Sequence, residues 1–181
     1  VKATLALGLL FVFGLATGQG ALDLGAPGLA SVFLCHFVHV SLDQVLWAGV
    51  PALLFAGALE ARVGTGRTLL VALGVALAVS GAVLALEHGR LASYCGASGL
   101  GHGLASAWAV RARGPGLVLL ALLLAKTGFE ALSGHLVCDV GLENAGSLPV
   151  PLAHAVGLLA GTVLGRWQGS NFERSLASLP A

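Results

Sequence analysis

Thr68–Leu86, TLLVALGVALAVSGAVLAL, is an uninterrupted apolar run closed by Arg67 at one end and Glu87 at the other. A helix needs about 20 such residues to cross the hydrocarbon core of a bilayer, and a soluble core helix needs fewer. Working outward from this stretch, charges and Gly/Pro clusters divide the rest of the chain in the same way. The candidate spans lie at 3–18, 41–60, 67–87, 97–112, 115–133 and 150–167. Those at 97–112 and 150–167 are short and Gly-rich, which suits helices packed inside a bundle. Ala3 to Ala16, with Lys2 as a charged end, has the outline of a signal peptide. Because further spans follow, it reads as a first transmembrane helix. The chain begins at Val1 and contains no Met, so that helix is expected to start slightly upstream. The expectation is an all-α, polytopic membrane protein of six spans. It forms a single domain over 1–181, with a core at about 31–168 and a short cytoplasmic tail at 169–181.

Composition sets the same class. Charged residues are 9% of the chain and hydrophobic ones 57%, with a mean hydropathy of +0.94. A soluble domain carries about 25% charged residues, so these 181 residues could not cover a water-facing surface. A net charge of +1 offers no basic face for nucleic acid. Lys and Arg orient the spans. Lys2, Arg62, Arg67, Arg111, Arg113, Arg166 and Arg174 fall on one side of a six-span layout, and Asp23, Asp43, Glu87, Asp139 and Glu143 on the other, where Arg90 is the lone base. Both termini are therefore expected in the cytoplasm. Cys35, Cys95 and Cys138 all fall near the outer side; their odd number leaves at least one unpaired, and spacing does not say whether two of them join.

The stretch with chemical content is Tyr94-Cys95-Gly96-Ala97-Ser98-Gly99-Leu100-Gly101-His102-Gly103. Ser98 stands where an outer loop enters the fourth span. Gly96 and Gly99 flank it, allowing a tight turn and close approach of a substrate chain. A helix start favours negative charge, and an oxyanion would form there if Ser98 attacked a carbonyl. A serine needs a neighbouring base, and His154 is the candidate. The fourth and sixth spans run in the same direction, and each residue lies within the first turn or two of its span, so the two share a depth. Gly157 and Gly161 on the sixth span, with Gly99 and Gly103 on the fourth, are matching small-residue faces for close packing.

Taken together, these residues resemble the rhomboid intramembrane serine proteases, and more narrowly the rhombosortase branch. The resemblance rests on Gly96-Ala97-Ser98-Gly99 opening the fourth span, and on the Ala-His-xx-Gly-xxx-Gly pattern from Ala153 to Gly161 in the sixth. Tyr94, His102 and Gly103, the earlier His36-Phe37-Val38-His39, and Lys126-xxx-Glu130 extend it, and it covers roughly residues 31–165. It implies a six-helix rhomboid-like bundle in the bacterial inner membrane, with its active site near the periplasmic side and no cofactor or metal. Ser98 would be the nucleophile and His154 its general base, a dyad with no acidic third member. The substrate would be a membrane-anchored protein with a C-terminal transmembrane tail of the Gly-Gly sorting type, which the enzyme would remove. The family usually carries His-xxx-Asn on the second span to donate to the oxyanion. Here the positions hold Gln44, whose amide can donate, and Ala48, which cannot. Loss of one such donor costs about 100- to 1,000-fold in rate.

Other residues carry open alternatives. His102 is on one helix face with Ser98; it either shapes the oxyanion site, competes as the base, or hydrogen-bonds a neighbouring helix. A metal at His36 and His39 would need more ligands converging there. Lys126 and Glu130, spaced i,i+4 deep in the fifth span, are expected to pair facing the bundle interior, either as a structural clamp or as a polar element touching the substrate tail. The loop 134–150 is a candidate mobile cap. The rival functions are a rhomboid-like pseudoprotease that binds transmembrane segments without cutting them, favoured by Gln44 and Ala48, and a small transporter using Lys126, Glu130 and His154. The latter lacks an internal repeat and paired broken helices.

Overall fold

The computed structural model describes residues 1–17, 20–39, 41–135, 137 and 150–177, with side chains to 167 in the last helix. The described chain is mostly helical. Its helices are α1 (Lys2–Thr17), α2 (Ser31–Leu34), α3 (Leu42–Val63), α4 (Thr65–Leu86), α5 (Ser98–Ala109), α6 (Gly114–Ser133) and α7 (Pro151–Ala177). Helices thus occupy every stretch that the hydropathy marks. By length and composition three of them, α3, α4 and α6, can cross a membrane. These three point to a membrane protein, and the exterior agrees. Leu5, Leu9, Leu54, Leu70, Leu122 and Leu159 are all exposed, on five different helices, a surface that water would drive to aggregate.

Helix ends follow local rules. Ser41 caps α3 by accepting the Gln44 N–H at 3.1 Å. Pro51 has no N–H to donate one turn back, and α3 takes a π-helical turn at Val45–Gly49 just before it. Gly64, at φ +81°, makes the sharp break between α3 and α4. α7 runs past 167 to Ala177, into the stretch expected to be a tail. No proline interrupts it before Pro180, so a polar helix can continue the apolar one.

α5 is the centre of the bundle. Gly99, Leu100, Gly101, Gly103, Leu104, Ala105, Ser106, Ala107 and Ala109 are all buried, and α3, α4, α6 and α7 each pack on it. At twelve residues it is about 18 Å long, well short of the ~30 Å hydrocarbon core. α6 is its opposite, with burial confined to Gly116, Thr127 and Glu130.

The segment before α3 is not simply an outer loop. α2 continues into a tight 3₁₀ turn at Cys35–Phe37 whose three residues are buried, and a methyl on Gly14 of α1 would fall on the Phe37 carbonyl. A two-residue antiparallel ladder pairs β1 (Leu22–Asp23) with β2 (Ser93–Tyr94), and the Gly96 N–H donates to the Cys35 carbonyl at 2.9 Å. The loop leading to Ser98 is therefore tied to the chain that follows α1.

Candidate active site

Four glycines bring α5 and α7 into backbone contact. A methyl on Gly157 would fall on the carbonyl oxygen of Gly99, one on Gly161 on that of Gly103, and one on Gly99 would stand 2.8 Å from the carbonyl oxygen of Ala153. The two small-residue faces read from the sequence are the ones that meet. This contact sets the turn that carries Ser98 beside the turn that carries His154.

Ser98 is the first residue of α5 and half-buried. It lines a cavity of about 90 Å³ with Trp47, Ala48, Pro51, His102 and Leu123, so α3, α5 and α6 each contribute to its wall. Among the hydrogen bonds of the described residues none joins the Ser98 hydroxyl to His154.

His154 is 5% exposed, and its surroundings hold the principal surprise. Its Nδ1 lies 2.7 Å from Oε2 of Glu130, and Glu130 is fully buried. The other carboxylate oxygen accepts from Lys126 Nζ at 2.5 Å and from the Val137 N–H at 2.9 Å. The expected Lys126–Glu130 pair is present, but Glu130 belongs equally to His154. The sequence did carry a signal for this. Glu130 lies in the last turn of α6 and His154 in the first turn of α7, the next long helix, so antiparallel packing of the two brings these ends to one level.

Among the described residues His102 makes no hydrogen bond to a neighbouring helix. Its Nδ1–H donates within its own helix, to the Ser98 carbonyl at 2.7 Å. What it offers its neighbour is a ring face, stacked on the His154 imidazole with centroids 4.2 Å apart and planes 13° from parallel. The ligand atoms of His102, Glu130 and His154 lie within 4.8 Å of one another, as metal ligands do. The Lys126 ammonium, 3.5 Å from His154 Nδ1, already supplies the positive charge there, and a cation beside it would be repelled.

Gln44 reaches the same loop. Gly96 has φ +122°, and a methyl on it would stand 2.7 Å from the Gln44 amide nitrogen. The side-chain amide therefore lies against the Gly96-Ala97-Ser98-Gly99 turn. Ala48, one turn on, contributes only wall to the Ser98 cavity.

Among the described residues, His36 and His39 belong to no group of side chains spaced to share a metal ion. His36 is buried with Nε2 3.0 Å from both the Ala76 carbonyl and Ser80 Oγ, and burial pushes its pKa down to about 4. His39 Nδ1–H donates to the Phe37 carbonyl at 3.1 Å. They tie the buried turn in place. Cys35 and Cys95 are free thiols, and burial raises both pKa values, that of Cys35 to about 11. Inert packing thiols fit this setting. Cys138 and most of the expected cap loop 134–150 lie outside the described residues.

No family model matches the chain, and no curated protein matches it significantly.

Proposed function

We propose that this protein is a rhomboid-type intramembrane serine endopeptidase that cleaves membrane-anchored proteins near the outer face of the membrane. Ser98 attacks the scissile carbonyl, and His154 takes its proton and returns it to the leaving amine. The N–H groups at the start of α5, with the Gln44 amide beside them, hold the oxyanion. The observation that carries the reading is the contact of Gly99 with Ala153, which makes neighbours of the serine turn and the histidine turn. α5 is short and sheathed by protein, so Ser98 at its start sits below the membrane surface while water still enters from outside.

On this reading the six long helices form a six-span rhomboid-like bundle in a bacterial inner membrane, with both termini in the cytoplasm and the active site toward the periplasm. The resemblance to rhombosortases makes the substrate a protein with a Gly-Gly-type C-terminal sorting tail, which the enzyme removes. A fluorophosphonate probe tests the chemistry in detergent-purified protein. Labelling at Ser98 that disappears in His154→Ala is the expected result. Folded protein that never labels would leave the second reading, a pseudoprotease binding transmembrane segments, which the Gln44 and Ala48 pair favours.

A further inference from the structure

Glu130 has three donors and no exposure to solvent, which is more than a lipid-shielded ion pair requires. Its Oε1 is taken by Lys126 Nζ and the Val137 N–H, and among the described residues its Oε2 faces only the imidazole of His154. A carboxylate can only accept, so the proton shared at 2.7 Å sits on His154 Nδ1. The Lys126 ammonium at 3.5 Å from the same nitrogen carries only donors and cannot compete for it. The tautomer follows from the partners: Nδ1 carries hydrogen, and Nε2 carries the lone pair. The flat face of His102 against the ring limits its rotation.

We infer that Glu130 is the positioning residue of this site, an acidic third member that fixes the tautomer and orientation of His154 and balances the imidazolium formed during the reaction. Lys126 and the Val137 N–H in turn hold Glu130 ionised and in place. The inference rests on the protease reading and departs from the two-residue dyad that the resemblance implies. In the first step the Ser98 Oγ–carbon bond forms, the carbonyl π pair moves to oxygen, and the hydroxyl proton passes to His154 Nε2. In the second, the C–N bond breaks as that proton moves to the departing amine nitrogen. Throughout, the Nδ1 proton stays on the ring and Glu130 stays a carboxylate. Water then repeats the two transfers on the acyl-enzyme.

A clamp and a positioning residue differ in what survives neutralisation. Lys126→Met/Glu130→Gln removes both charges and leaves neither buried alone, so the bundle can fold even if Glu130→Gln by itself cannot. Thermal unfolding of the full chain in detergent reports the fold. Single-turnover cleavage of a membrane-anchored peptide and fluorophosphonate labelling of Ser98 report the site. The expected result is a folded double variant whose kcat falls roughly 1,000- to 10,000-fold, the size seen when a buried carboxylate behind a catalytic histidine loses its charge, with KM nearly unchanged. Glu130→Asp should regain part of the loss. The wild-type protein, labelled with ¹⁵N-histidine, should show one strongly deshielded Nδ1–H proton that the folded double variant lacks. A folded double variant that labels and cleaves at the wild-type rate would reduce Glu130 to a clamp while leaving the protease intact. A wild-type chain that neither labels nor cleaves would overturn the protease reading and this assignment with it.

Discussion

Gln44 and Gly96 make one unit, because the glycine's φ of +122° and missing side chain are what let the amide reach the serine turn. If that amide holds the oxyanion, Gln44→Ala should lower kcat about 100- to 1,000-fold with little change in KM, measured on a membrane-anchored peptide in detergent. Equal activity in the two proteins would assign the oxyanion to backbone N–H groups alone. His36 makes a prediction of another kind. Burial lowers its pKa from 6.5 to about 4 in the folded chain. Above 6.5 neither state holds the proton. Between those values the unfolded chain takes up a proton that the folded one refuses, so stability falls as pH falls and levels off below about 4. The full difference is ~3 kcal/mol. Unfolding in detergent at about pH 7.5 and pH 5 should reveal the slope, and His36→Phe should flatten it.

Two helices in backbone contact tolerate no added carbon between them. Gly157→Ala puts a methyl onto the Gly99 carbonyl, and neither backbone can yield without moving its whole helix. A loss of about 1–3 kcal/mol is expected, together with reduced Ser98 labelling as the two turns separate. Gly81→Ala in α4 is the matched control, since nothing lies within 4 Å of the added methyl and alanine is the better helix former. If both variants melt together, the glycine face does not hold α5 to α7. The small-residue pattern announces this contact because it is a property of helical spacing alone. The short 3₁₀ turn at Cys35–Phe37 had no such announcement. Three residues carry no period, and their burial depends on α1 presenting Gly14 to the Phe37 carbonyl.

For the molecule as a whole, the charge distribution predicts a topology that can be measured in cells. In a chain with its cysteines replaced, Gly66→Cys and Gly114→Cys should resist a membrane-impermeant thiol reagent added to spheroplasts, and His88→Cys should react. Labelling of all three from outside would break the six-span arrangement. The helical character, the approximate ends of the long helices except the C-terminal end of α7, and the Lys126–Glu130 pair were legible in the amino-acid sequence, because apolar runs, breakers and i,i+4 spacing are local quantities that survive without knowledge of neighbours. The packing faces of α5 and α7 were legible for the same reason. The bond from Glu130 to His154, the stacking of His102 on that ring and the reach of Gln44 to Gly96 were settled by tertiary structure alone. Each depends on how far one helix is rotated about its axis; the order of the helices places residues at a common level, but hydropathy does not encode that rotation.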